Sequence, residues 1–230
     1  EAGTQYMKLR QMEHANRTLT RAYEIAPDDP AVNNALALFY IMEGEDEQVV
    51  RHFDKALSVD PEFSQARNNY AAYLFEKKRY DDAIKQLERV TKDYRYPRRY
   101  KAFENLGICY LEKDDIESAK AAFNRALQLN PNLPVSLLEM AELSMAEGNN
   151  MMAARYLKKH ESVAKPSPKQ LWLGIRLQRV LGWALVSLGL ARKRAAAPAL
   201  AGRLPSLMSC PALCGAVPAT CLRDQTPTLL

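Results

Sequence analysis

The sequence predicts an all-α chain: a right-handed superhelix of antiparallel helix pairs, with an irregular C-terminal tail. Three observations carry this expectation. Leu106, Gly107, Tyr110, Ala119, Phe123, Ala126 and Pro131 recur 70 residues earlier as Leu36, Ala37, Tyr40, Val49, Phe53, Ala56 and Pro61, with the same internal spacing. Small residues and prolines hold fixed offsets in each unit, as close helix crossings and helix ends require. The composition changes abruptly at residue 183, where the pattern stops.

In chain order, the first unit is carried by Gly3, Tyr6, Ala15, Leu19, Ala22 and Pro27, and the second by the Leu36 to Pro61 set. Tyr70, Ala71, Leu74, Ala83, Leu87 and Val90 form the third, closed by Tyr96-Pro97. The fourth runs from Leu106 to Pro131; the fifth is looser, with Met140, Ala141, Ala153 and Leu157. A period of 34 residues, stretched to 36 in the third unit, is the tetratricopeptide signature. Its physics is packing. Gly107, Ala119 and Ala126 sit where helices cross closely, large apolar residues fill the space between units, and Pro131 stops the second helix. No unit can bury its own face, so stability comes from stacking. Short turns such as EGED, EKKR, EKDD and AEGNN join the helices of each pair.

A sixth unit begins at SPKQLWLGIRLQRVLG, with Ser167 as the cap, Pro168 at the first position, and Leu171, Leu173, Gly174 and Leu177 along a helical face. This gives a solenoid over 1–182, made of five repeats and the first helix of a sixth. From Trp183 onward there are ten Ala, ten Leu, five Pro and three Cys, and no Glu, Asn, Tyr, Phe or Ile. Prolines at 198, 205, 211 and 218 break any long helix there. Residues 183–230 therefore read as a low-complexity, disordered tail, and a reading-frame shift near residue 182 would explain the break.

Composition narrows the function classes. The net charge of +5 is concentrated in the tail, where five Lys/Arg meet one Asp, so the repeats carry about +1. A nearly neutral body makes no electrostatic case for nucleic acid. The basic, tyrosine-rich stretch KDYRYPRRYK (92–101) is diluted by neighbouring acids and reads as a solvated connector. Catalysis needs convergent polar groups, yet His14, His52 and His160 fall in three different repeats. The tail cysteines lack a fourth ligand, Asp81-Asp82 and Asp114-Asp115 open second helices where carboxylates favour the dipole, and no glycine loop cradles phosphate. The expectation is a protein without catalytic residues, cofactor or metal, in which Cys109 is a packing side chain.

Several stretches are more specific than the repeat: NNYAAYLFEKKRYDDA (68–83), YP at 96–97, FENLGICYLE (103–112), LLEMAELSMAEGNNMMAARYL (137–157) and LWLGIRLQRVLG (171–182). In this order, and over roughly Gly3 to Gly182, they resemble the type IV pilus biogenesis and stability family, the PilW/PilF pilotins. The resemblance implies a non-enzymatic lipoprotein at the periplasmic face of the outer membrane. It would help the pilus secretin localise and multimerise. Membrane attachment would be through an N-terminal lipid on a cysteine upstream of Glu1, after a signal peptide that this chain does not contain.

The architecture also nominates a site, because first helices line the concave face of such arrays. Projected on the repeat frame, the inward positions are Met7, Leu38, Ile41, Met42, Phe75, Ile108, Leu111 and Met145, edged by Glu76, Glu104, Glu112 and Glu142. An apolar stripe with several methionines suits an amphipathic helix or an extended apolar segment. A clamp for a terminal carboxylate would need more than Lys8 and Lys101. Asn69 and Asn105 share a frame position and fit either of two roles: holding a ligand backbone, or tying a helix to its neighbour. The partner is then a protein, the secretin by resemblance; a generic repeat scaffold with an unrelated partner is the alternative.

Overall fold

The computed structural model describes residues 2–196, with side chains through residue 182. Ten helices form five antiparallel pairs: α1 (Ala2–Lys8) with α2 (Met12–Ile25), α3 (Pro30–Glu43) with α4 (Asp46–Val59), α5 (Ser64–Glu76) with α6 (Tyr80–Lys92), α7 (Arg99–Glu112) with α8 (Ile116–Leu129), and α9 (Pro134–Ala146) with α10 (Asn150–Val163). Helix α11 (Pro168–Ala196) packs on α9 and α10. Its backbone continues past residue 182, where the tail was expected to begin. Residues 197–230, on which the rest of that expectation falls, lie outside the described residues.

Each pair turns in the same way. Arg10, Gly44, Lys78, Asp114 and Gly148 have positive φ of 55° to 80°, one per intra-pair turn. The residue after each of them donates its N–H back across the turn: Gln11 to Tyr6 O, Glu45 to Tyr40 O, Arg79 to Leu74 O, Asp115 to Tyr110 O and Asn149 to Ser144 O, at 2.8–3.0 Å. This six-to-one bond satisfies a carbonyl that the helix end would otherwise leave open.

Within pairs, small residues allow close approach. A Cβ on Gly107 would lie 2.7 Å from the Phe123 ring, and one on Gly3 2.6 Å from Leu19. Ala15, Val49, Ala83, Ala119 and Ala153, at one frame position of the five second helices, are all fully buried. Between units the contact is apolar, with Tyr70 stacked on Phe53 at 4.9 Å, and charged pairs close the outer edge. Lys77 reaches Asp46 at 2.7 Å, and Lys113 and Lys120 reach Asp81 and Glu147. Consecutive first helices touch (α1 with α3, α3 with α5, α5 with α7, α9 with α11), so the array curves with its first helices inside.

The connector at 92–101 is largely solvated, with Lys92, Tyr94, Arg95, Pro97, Arg98 and Lys101 exposed, and it is pinned at three points. Arg99 is buried with its guanidinium 4.4 Å from the Tyr94 ring, Tyr96 is half-buried, and Asp93 accepts a 2.6 Å bond from Ser64 Oγ. The guanidinium stacks on a solvent-facing ring, Tyr94 being 82% exposed, so the junction is pinned locally while most of it stays in water.

Candidate functional site: the concave face of the first helices

Four residues at one frame position, Ile41, Phe75, Leu111 and Met145, form a half-buried row across α3, α5, α7 and α9. Leu38 and Ile108 lie one helical turn earlier on α3 and α7 and are also half-buried. Each packs its base on the core and leaves part of its side chain open, which is how an apolar floor differs from an interior. Met42 stands clear of the row and is 47% exposed.

Met7 is placed differently, and Asn69 and Asn105 bond in the second of their two expected roles. Met7 is 6% exposed and belongs to the core with Ala15, Leu19, Leu36 and Phe39. Its long unbranched side chain fills the gap under the short α1 instead of opening to the face. Asn69 donates through Nδ2 to Asn34 Oδ1 at 3.0 Å, and Asn105 to Asn68 Oδ1 at 3.3 Å. These bonds tie α5 to α3 and α7 to α5, so both asparagines link neighbouring first helices, and Asn105 is buried. Sequence reasoning missed their partners. The signal was the doubled asparagine, Asn33-Asn34 and Asn68-Asn69, repeated one unit apart.

The acidic edge divides. Glu76 and Glu112 are exposed, and Glu112 accepts from Tyr80 at 3.2 Å. Glu104 is instead buried, accepting from Ser136 Oγ at 2.7 Å, Ser136 N at 3.2 Å and Lys101 Nζ at 3.0 Å. A carboxylate with three donors is a joint between α7 and α9, not an edge. Glu142 pairs with Lys169 at 2.9 Å, and Glu139 with the same Lys169 at 2.7 Å. Burial pulls the Lys169 ammonium down, but the two carboxylates outweigh it and hold it above its ordinary value.

Cys109 is 1% exposed; burial, with Glu112 adding to it, pushes its thiol up to about 12, so no thiolate forms near neutrality. His52 lines an outer cleft of about 430 Å³ beside Tyr23 and Lys55, with Nδ1 donating to Asn33 Oδ1 at 2.9 Å and its ring stacked on Tyr40. His160 takes the crossing position that Ala56 and Ala126 hold in other units and is 2% exposed. Among the described residues no group of three His, Cys, Asp or Glu side chains is placed to hold a metal.

Comparison with known proteins bears on the fold and the family. Tetratricopeptide repeat profiles match residues 73–134 and 52–85. The type IV pilus assembly protein PilF of Pseudomonas aeruginosa is 34% identical over 180 residues, covering 78% of this chain and 71% of that protein. The solved structure of P. aeruginosa PilF superposes with a TM-score of 0.76, covering 85% of this chain and 89% of that one at 34% identity. The crystal structure of PilW, described as a widely conserved type IV pilus biogenesis factor, gives a TM-score of 0.69 at 25% identity, with 85% and 90% covered. A repeat solenoid with an open row of apolar side chains, alike in sequence and shape to these proteins, belongs to the PilF/PilW family of type IV pilus tetratricopeptide proteins.

Proposed function

We propose that this chain is a non-enzymatic assembly factor of the type IV pilus that holds an apolar segment of the outer-membrane secretin along its concave face, promoting the secretin's localisation and multimerisation. The observation that supports this reading is the row Ile41, Phe75, Leu111 and Met145, four open apolar side chains in register over four units. An amphipathic segment laid across the first helices would bury them with Leu38, Met42 and Ile108, while Glu76 and Glu112 favour basic flanks on the ligand. Family membership supports the pilus context, and a lipid anchor upstream of Glu1 would place the protein at the periplasmic face of the outer membrane.

The test is a binding titration of the chain with secretin fragments, beside the variant Phe75→Lys/Leu111→Lys. Two lysines in a desolvated apolar contact cost roughly 2 kcal/mol or more, so affinity falls at least about thirtyfold. Both side chains are half-buried, so the melting temperature is followed in parallel. Undiminished secretin binding by the folded double variant refutes the row as the site. Binding of an unrelated partner by the row, with no secretin fragment bound, favours a generic scaffold instead.

A further inference from the structure

We propose that α11 is also an interfacial helix, one that lays its outward face on an anionic lipid surface. Its geometry sets it apart from the other first helices. Leu173, Gly174 and Leu177 repeat the spacing of Leu106, Gly107 and Tyr110. In the complete units the glycine of this frame is pressed by the second helix, 2.6 Å from Leu19 at Gly3 and 2.7 Å from Phe123 at Gly107. Nothing lies within 4 Å of a Cβ built on Gly174. No second helix covers α11 among the described residues.

The face left open is apolar and basic. Leu171 is 58% exposed, Ile175 59% and Trp172 45%. On the opposite side Gln170, Leu173 and Leu177 are buried against α9 and α10, and Lys169 is clamped to Glu139 and Glu142. The helix is thus held firmly while its outer arc stays bare. From Pro168 to Ala196 the sequence has six basic residues and no acidic one. Arg176 lies over the Trp172 ring at 4.4 Å, and neither it nor Arg179 has a carboxylate partner among the described residues.

That charge pattern chooses the occupant. A second copy docked through α11 would bring two acid-free helices together with their arginines facing, which opposes association. An anionic bilayer offers phosphates to Arg176 and Arg179 and a headgroup boundary to Trp172, while Leu171 and Ile175 enter the acyl edge. Nucleic acid would answer the charge but leave the two aliphatic side chains uncovered. No helix among the described residues is long and apolar enough to cross a membrane, so the contact lies in the interface plane. This inference stands independently of the concave-face reading.

The experiment is flotation of the full chain with vesicles of phosphatidylcholine and phosphatidylglycerol at about 70:30, beside vesicles of phosphatidylcholine alone, at low and high salt. Binding to the anionic vesicles only, weakened by salt, is expected. Arg176→Glu/Arg179→Glu lowers partitioning by about thirtyfold or more, and Trp172→Ala/Ile175→Ala by at least about tenfold. In a Trp183→Phe background, Trp172 emission shifts to the blue on the anionic vesicles. All four side chains are solvent-facing, so helix content and melting stay as in the parent. Equal flotation by parent and variants overturns the proposal. So does a dimer in sedimentation that Trp172→Ala/Ile175→Ala abolishes while the parent fails to float, which assigns the face to a second copy.

Discussion

The bond between Asn69 Nδ2 and Asn34 Oδ1 allows the sharpest separation of scaffold from binding surface. It is 3.0 Å long and joins α5 to α3, with Asn34 only 6% exposed. Asn69→Ala removes the donor and leaves the Asn34 oxygen buried without it. The net worth of such a bond is about 1 kcal/mol, and an orphaned buried acceptor adds up to about 1–3 kcal/mol. We expect Asn69→Ala to cost about 1–2 kcal/mol, or roughly 2–8 °C in melting temperature for a chain of this size. The cycle of Asn34→Ala, Asn69→Ala and the double variant, followed by urea unfolding with circular dichroism, should give a coupling of about 0.5–1.5 kcal/mol. Repeat arrays can lose cooperativity, so the cycle is read only where one transition is seen. Additivity within about 0.3 kcal/mol, with full stability in Asn69→Ala and lost partner affinity, would refute the tie and return Asn69 to the ligand.

Three further outcomes follow from packing, backbone and charge. Gly107→Val places a branched side chain where even a Cβ meets the fully buried Phe123 ring at 2.7 Å, so a loss of about 2 kcal/mol is expected by urea unfolding; adding Phe123→Leu should restore part of it, and an unchanged midpoint contradicts the crossing. Gly148→Ala meets nothing within 4 Å, yet its φ of +76° disfavours any L side chain, so it should lose about 1 kcal/mol with no change in partner affinity. Burial holds the folded pKa of His160 below its ordinary 6.5 against the upward pulls of Gln170 and Glu161, and burial with Arg51 nearby lowers that of His52. The unfolded chain therefore takes up protons first as pH falls, so their contribution is whole above about pH 6.5 and is lost below it. His160→Val, with the residue that Val90 supplies at the same position, should shrink the fall in unfolding midpoint between pH 7.5 and about pH 5; an undiminished fall removes His160 from the cause.

The helix pairs were legible because small–large–small spacing is local: Gly107, Ala119 and Phe123 each report a contact within one unit. The row of Ile41, Phe75, Leu111 and Met145 follows from the same frame. What the frame does not carry is the offset between units. Asn34 and Asn69 sit at adjacent frame positions, and only the stagger of α3 against α5 brings their amides together. Glu104 illustrates the same limit. Its position suggests an edge, but α9 presents Ser136 to it and closes the site. Ends of the array depart for a different reason, since frame positions assume a neighbour on each side. At α1 a flexible methionine turns inward to fill a gap, and at α11 the open side of Gly174 leaves Leu171 and Ile175 bare.

The two extra residues of the third unit show why the concave row survives an irregular period. Connectors between units run 26–29, 60–63, 130–133 and 164–167, whereas the one between α6 and α7 runs 93–98. The insertion therefore falls between units, and the turn inside each pair keeps to two or three residues with its one left-handed residue, from Arg10 to Gly148. Had the two residues entered the Lys78 turn instead, α6 would be rotated about its axis by roughly half a helical turn, taking Ala83 and Leu87 off the crossing. Placed in the connector, they are absorbed by Asp93, Tyr94, Tyr96 and Arg99, which bond and stack locally without touching the first-helix register. Phe75 and Leu111 are consequently 36 residues apart yet neighbours in one row, while Ile41 and Phe75 are 34 apart in the same row. Continuity of the candidate row depends on where the chain lengthens, and this chain lengthens between units and not within a helix pair.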